Sequence, residues 1–504
     1  MRRNITFAPG VVLDDTPFKV GQAGWVACDK VRFHRNLPQV IGGWEAVTAT
    51  QLDGVCRGIH TWRDNDGALN HALGTTEELY VIVGGDPFTI TPSGLSDGLV
   101  DSTGGQGYGT GTWSTGSYSR PSTADYIART WSFASYGETL LACPSGETIY
   151  QWSNNTASAA AAITNAPAAV QSILVPMEKR HVVAYGCTDI SVNYNPRAIR
   201  WSDFEDLTDW TPSASNNAGQ KVLEGSGRIV KAMSTTGGEF VWTTSELWYQ
   251  TYLGDPTQTY QFTRLGTGCG LIGPNAAVTF EGGAFWMSPD GGFWACSAGG
   301  VPTRITSPVE QDVRDNLASV QDAKVYAATV GTFREVWWFY PDARDGSENS
   351  RYVSLQLDSG AWAGGELART AFLDAGTGPS PIAVDPDGNV FYHERGRSAN
   401  GGAIDWSLES GGFYAQASER FIMYRSLYPD VEEQRGLARF ELITKEYPQG
   451  DETTHGPYDL MVGQDRVDFR ASGRISRVKF YGSAAPCFFR LGQINMDITP
   501  RGRR

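Results

Sequence analysis

Charge is scarce in this chain: Asp, Glu, Lys and Arg make up 19% of its 504 residues. That scarcity argues against long solvated surface helices, which need charged faces. Basic residues are fewer than acidic ones, the net charge is −14, and no stretch gathers Lys and Arg into a stripe. High-affinity binding of duplex nucleic acid is therefore not expected, because phosphate neutralisation requires a concentrated basic face. No apolar run approaches the length of a membrane span, and the opening MRRNITFAPGVVLDD lacks the apolar core of a signal peptide. Seven cysteines (28, 56, 143, 187, 269, 296, 487) form an odd, scattered set without CxxC spacing. Buried thiols in a reducing compartment are expected, not a disulfide framework or a zinc cluster, and synthesis in a cytoplasm follows.

Catalytic patterns are missing too. The six histidines (34, 60, 71, 181, 393, 455) show no HExxH or other ligand spacing. Gly105-x-Gly107-x-Gly109 has no strand before it and no helix after it, so it is not a dinucleotide fingerprint. There is no G-x-S-x-G elbow, and no ordered Ser, His and carboxylate set from which to propose a triad. A glycosidase needs two carboxylates facing across a groove, and nothing in the sequence places such a pair. No catalytic, cofactor-binding or metal residue is assigned, and no cofactor is expected.

What the chain does have is repetition. Seven times an apolar strand turns on Gly, Asp or Asn and returns through aromatics. The copies are His71 to Val83, Thr139 to Trp152, RHVVAYG…AIRWSD from Arg180, Glu239 to Gln250, Ala284 to Cys296, EVWWFYP…RYVSLQL from Glu335, and Pro381 to Glu394. A hairpin buries one face only, so serial copies must stack on each other. The last four begin at 239, 284, 335 and 381, close to the ~40–50 residues of a propeller blade. With 59 Gly and 16 Trp, the composition fits turn-rich β structure. The expected fold is all-β: a six- or seven-bladed propeller over residues 51–420. An extended arm and first strand precede it (1–50), and a sandwich-like antiparallel β domain follows it (421–504).

Two segments interrupt the hairpins. Ser102 to Ser119 is too rich in Gly, Ser and Thr for a strand and reads as a surface loop, or as a contact loop ordered by a partner. Asn154 to Val170 reads as one helical turn plus linker. One longer helix is expected in SPVEQDVRDNLASV, with Ser307 as N-cap, Pro308 in the first turn and Glu310 completing a capping box. Its stripe of Val309, Val313, Leu317 and Val320 would pack between two blades.

Several motifs invite a functional reading and have a plainer one. SPDGGFW (Ser288 to Trp294) is one residue short of the Asp box of sialidase-type propellers, and Asp290 is expected to be a turn residue. Arg63 to Gly67, Asp342 to Asn349 and Asp385 to Glu394 have spaced carboxylates but lack the full calcium-loop pattern. His393 beside Glu394 is expected to be a satisfied side chain. The tail Pro500 to Arg504 is a solvated end or an electrostatic contact to an acidic neighbour.

Taken in order, several stretches resemble the tail hub or nozzle proteins of short-tailed bacteriophages, including the phage stabilisation proteins. They are Trp25 to Trp44, Ala198 to Gly219, Val241 to Pro256, Gly270 to Trp294, Glu335 to Ser354, Pro381 to Gly396, and the end from Gly456. They cover most of the chain; the insertions at 102–119 and 156–169 have no counterpart. The resemblance implies a homohexameric ring in the virion, assembled in a bacterial cytoplasm below the portal and adaptor (head–tail connector). Such rings close the packaged head, anchor fibres, spikes or a needle, and let DNA pass without sequence-specific binding or membrane insertion of their own. No catalytic residue belongs to that role. Six copies would carry 6 × −14 = −84 formal charges, a balance that repels phosphate from a lumen. Trp113, Tyr118, Trp210, Tyr252 and Trp362 are candidate interface anchors. The alternative from another class is a glycan-binding or sialidase-like propeller, and a third is a peptide-binding cytoplasmic scaffold.

Overall fold

The computed structural model describes residues 2–16, 24–103, 127–176, 180–255, 258–415 and 420–501. Among these residues, seven four-stranded antiparallel sheets follow one another along the chain. The first six span residues 56–89, 131–162, 172–222, 229–267, 277–304 and 326–366, each a simple meander. The seventh joins Ala371–Leu373, Ile382–Val384 and Val390–His393 to Trp44–Ala46 from the other end of the chain. Each hairpin expected from the sequence forms the middle two strands of one sheet.

The sheets are arranged like a propeller. The first strand of each lies beside the first strand of the next, and Ala371–Leu373 of the seventh lies beside Cys56–Arg63 of the first. Separate apolar cores sit between sheets one and two, two and three, and three and four. A larger core joins sheets four, five and six, and another joins six, seven and one. Aromatics fill these seams: Trp62 meets Trp152 edge-on at 6.4 Å, and Trp242 meets Trp286 at 5.7 Å. A Cβ at Gly74 would lie inside the Trp131 indole, so glycine lets the first two sheets approach.

The remaining strands make a two-sheet sandwich. Its six-stranded sheet contains Arg2–Ile5, Val31–His34, Leu37–Val40, Ile422–Arg435, Val467–Gly473 and Phe488–Pro500. Its five-stranded sheet contains Trp25–Asp29, Ile404–Ser410, Ala438–Lys445, Thr453–Leu460 and Ile475–Ala484. Val467–Gly473 alternates buried and exposed residue by residue, as a strand with one face on a core must. Trp406 stacks on Phe489 at 4.9 Å inside it.

Three local expectations are corrected. Residues 1–50 are more than an arm and one strand: they contribute strands to both sandwich sheets and to the seventh ring sheet. Ile404–Ser410 pairs with Trp25–Asp29 and Ile475–Ala484, so sandwich pairing begins before residue 421. In the stretch 154–170, Ala161–Ala162 adds an outer strand to Tyr150–Trp152 where a helical turn was expected, because that edge offers the alanines backbone partners. The Gly-rich segment falls mostly in 104–126, outside the described residues.

The helix is shorter than expected, Glu310–Asn316, with Val309 at the cap position and no side-chain cap of its own. Ser307 Oγ accepts from Val309 N at 3.2 Å and so stops short of the first helical turn. The Pro308 carbonyl accepts the amides of Leu13 and Asp14, and the Asp14 carboxylate accepts the amides of Gln311 (3.1 Å) and Asp312 (3.2 Å). A residue 297 positions away thus caps the helix, where its negative charge also meets the positive end of the helix dipole. Val309 and Val313 are buried as expected, while Val320 is exposed beyond the helix end. Asp14→Ala should lower stability by about 1 kcal/mol, and Ser307→Ala by a few tenths at most. Urea midpoints of the two variants check this ordering.

Arg32, 1% exposed, ties the sandwich to the ring. It makes two hydrogen bonds to Glu394, which follows the seventh sheet, and its Nε lies 3.3 Å from Glu335 Oε1 at the start of a sixth-sheet strand. Phe333 lies 3.7 Å beneath its guanidinium. Glu394 also accepts from Gly42 N, and Glu335 accepts from Trp337 Nε1. Burial pulls Arg32 toward neutrality, but Glu335 and Glu394 more than offset it, while burial raises Glu335 despite Arg32.

Candidate binding cavity at the ring axis

The first strands of the sheets do not meet at the centre. They leave a cavity of about 280 Å³ whose lining includes His60, Phe133, Lys231, Tyr326, Phe372 and Asp374. These six residues come from or immediately follow the first strands of sheets one, two, four, six and seven. Lys231 owes its place to a bulge. Ile229 pairs with Thr243 and Lys231 with Trp242, so Val230 is an extra residue that resets the alternation. Lys231 and Met233 therefore line this cavity, while Ile229 and Val230 line a second recess of about 460 Å³.

The charges in the cavity are unevenly satisfied. Asp374 accepts from Thr329 Oγ1 (3.1 Å), Gly331 N (2.8 Å) and Ala375 N (2.7 Å). His60 Nε2 lies 2.7 Å from Ser135 Oγ, and its ring stacks on Trp62. Lys231 has no ion pair or hydrogen bond from its amine among the described residues. Burial pulls its pKa down to about 8, partly countered by Cys143; His60 is pulled to about 4 by burial and then by Lys231. At neutral pH the cavity holds an ammonium, a neutral imidazole and a carboxylate already occupied by donors.

Pro274 lines both spaces, and the second recess is walled by Arg129, Glu147, Arg228 and Asp322. Arg129 pairs with Glu147 at 2.6 Å and donates to Thr76 O at 3.2 Å. Burial lifts Asp322 to about 6, although Ala323 N–H and Arg228 oppose the rise. A carboxyl whose folded pKa is raised favours folding while protonated and loses that contribution as pH climbs through about 6. Asp322→Asn should therefore melt on the order of 1–2 °C above the native chain at pH 7.5. The advantage should vanish at pH 4, where both side chains are neutral; melting scans at the two pH values check it.

The motifs singled out in the sequence lie outside this cavity, in turns and seams. In Ser288 to Trp294, Ser288 Oγ donates to Asp290 and accepts from Trp294 Nε1 at 3.1 Å, while Gly291 takes φ +77°. Asp290 then pairs with Arg304 at 2.9 Å: it closes a hairpin. Asp385 accepts the amides of Asp387 and Asn389 and the Asn389 side chain; Asp64 accepts from Ala68 N and Asn154; Asp342 meets Arg344 and Arg351. Their lone pairs serve the turns. His393 is buried and accepts from Arg369 Nε at 2.8 Å; burial, then Arg369 and Arg32, pull it well below the usual histidine range. Among the described residues no group of three or more His, Cys, Asp or Glu converges as metal ligands.

Of the five aromatic anchors expected from the sequence, Trp113 and Tyr118 lie outside the described residues. Trp210 and Trp362 are buried within the chain, the latter stacked on Trp338 at 5.9 Å, so neither is an exposed anchor. Tyr252 is half-buried with its ring edge-on to Tyr260. Trp210 lies in a loop as its sequence suggests but folds into the core between sheets two and three, whereas Trp362 begins a strand of the sixth sheet. All seven cysteines are free, six of them buried, and Cys28 is half-buried.

Sequence reasoning missed Lys231 and Arg32. Lys231 sits in GRIVKAMS, an apolar strand with one interrupting lysine. That interruption, a charge inside an otherwise apolar run, was the available signal.

No family model and no curated protein matches this sequence. Among solved structures the chain is similar to the computationally designed Ika8 protein, with a TM-score of 0.38 and 11% identity over 78% of this chain and 99% of that one. It is also similar to YCF48 bound to D1 peptide, with a TM-score of 0.39 and 12% identity over 70% of this chain and 97% of that one. Neither likeness adds to what the strand pairing establishes.

Proposed function

We propose that the chain is a structural subunit of a bacteriophage tail hub or nozzle, its seven four-stranded sheets serving as the blades of a seven-bladed propeller. Six copies form a ring below the portal and adaptor, close the packaged head, and present faces for fibres, spikes or a needle. DNA leaves through the lumen between copies, not through the narrow propeller axis. The observation that carries this reading is the lacing of the amino-terminal strands through sandwich and ring alike, fixing two modules as one rigid block. A wall that bears load during DNA exit needs such rigidity, and the ordered sequence resemblance supports the same role.

Projecting turns supply docking faces. In the third sheet, Ile190, Val192 and Tyr194 are 45%, 80% and 40% exposed on one loop. Asp189 braces it by accepting the amides of Ser191 and Asn193, and Val192 is held at φ +64°, a strained setting for a β-branched residue.

The proposal is tested by native mass measurement of the purified chain, alone and with a portal–adaptor complex, and by protein identification in purified phage particles. A ring of six times 54.8 kDa, 328.8 kDa, on the adaptor and in particles is the expected result. Absence of the chain from particles whose genome encodes it would overturn the assignment.

A further inference from the structure

We propose that the axis cavity is a binding site for a small organic carboxylate, held by the Lys231 ammonium within an aromatic lining. Three observations point to it. The first is an ammonium without a protein partner, facing a cavity on a strand whose neighbours are apolar. Lys231 is half-buried, so its ammonium has given up part of its hydration, and an anion in the recess recovers that loss. The second is the bulge at Val230, which turns Lys231 toward the axis at the expense of regular pairing with Gly238–Thr243; bulges recur where a side chain must be re-aimed. The third is the lining itself. Phe133, Tyr326 and Phe372 supply apolar surface, and Asn275 and His60 supply polar groups. The lining is thus mixed, with polar groups beside aromatic walls, and convergent polar groups are what fix a small ligand's orientation.

Charge selects the ligand class. The cavity holds one cation and one carboxylate, and Asp374 already accepts three hydrogen bonds. A singly charged carboxylate pairs with Lys231 and leaves one negative charge over, that of Asp374, which its three donors already hold. A phosphate dianion would bring a second negative charge toward Asp374 with no cation to meet it, since His60 is neutral above about pH 4. The volume of about 280 Å³ lies just below the ~300 Å³ lower edge of ligand pockets. It admits a molecule the size of benzoate and excludes a folded partner. The site is independent of the virion role above.

Benzoate is the probe, titrated calorimetrically into the full chain at pH 7, with inorganic phosphate in parallel. Saturable benzoate binding is expected, weakened at least tenfold in Lys231→Met and retained in Lys231→Arg. The groups around the amine are His60, Cys143, Tyr326 and Asp374; burial keeps His60 neutral and raises Cys143 and Tyr326 well above pH 8, whereas Lys231 itself titrates near 8. Native-chain binding should therefore fade as pH rises through about 8, whereas Lys231→Arg should still bind at pH 10 because its guanidinium stays charged. Should Lys231→Met fail to fold, reductive ¹³C-methylation of the native chain gives a second readout: the dimethyl-Lys231 resonance should shift on benzoate addition. No saturable benzoate binding at pH 7, equal binding by Lys231→Met, an unmoved Lys231 resonance, or binding of phosphate without benzoate would each overturn the proposal.

Discussion

Replacing Arg32 with methionine should cost about 3–5 kcal/mol, the penalty for stranding buried charges after their partner is removed. The loss is large because Arg32 serves two carboxylates at once, Glu335 from the sixth sheet and Glu394 after the seventh. Glu335 is itself 1% exposed, and besides this ion pair it accepts a hydrogen bond from Trp337 Nε1. The variant's deficit should depend on pH in a fixed direction. Without Arg32, burial and the nearby Glu394 charge raise the Glu335 pKa against the Trp337 N–H alone, and a raised folded pKa means stability that is present in acid and lost as pH rises through it. The deficit should therefore be greatest at neutral pH and shrink toward pH 5. Adding Glu335→Gln and Glu394→Gln to Arg32→Met should recover a large part of the loss, since no charge then remains unpaired. Urea midpoints of the single and triple variants at two pH values are the check. A triple variant worse than the single one would refute the ion-pair account.

Removing residues 1–46 should abolish the soluble fold. The deletion strips strands from both sandwich sheets and the outer strand from the seventh ring sheet. It also removes Trp25, Val31, Phe33, Val40 and Ile41, each no more than 3% exposed. At about 1.5–3 kcal/mol per buried side chain, five of them sum to roughly 8–15 kcal/mol. That matches the whole stability of a typical domain, about 5–15 kcal/mol. Exposed strand edges would then direct the chain to aggregate. Soluble yield and circular dichroism of the truncated chain read the outcome, and co-expression of residues 1–46 should restore part of it. A soluble truncated chain with native melting would show that the arm is dispensable.

Local pattern made the ring sheets legible. Ala284 to Cys296 reads as strand, Asp-Gly-Gly turn, strand, and the structure pairs Gly283–Met287 with Phe293–Ser297 across that turn. What stayed hidden depends on partners far along the chain. Trp44–Ala46 meets Tyr392 and His393 nearly 350 residues later, and a three-residue strand has no pattern that names its neighbour. The same distance concealed Asp14 as the cap of the helix at 310–316, so Ser307, the nearest hydroxyl, took its place in the reading. The Arg32 cluster was invisible because Arg32, Glu335 and Glu394 acquire meaning only when three sheets converge. Lys231 left a trace, one charge in an apolar strand, but its exposure to a cavity depends on the bulge, which has no sequence signature.

The central claim is that the amino-terminal strand closes the ring, and a disulfide tests it most directly. Glu45 and Tyr392 are paired across the closing edge, where opposed Cβ atoms lie ~4.5–5.5 Å apart. In the Glu45→Cys/Tyr392→Cys chain, mild oxidation should yield a single peptide linking positions 45 and 392, found by mass spectrometry and lost on reduction. A folded double variant that forms no such link, or that links position 45 elsewhere, would contradict closure.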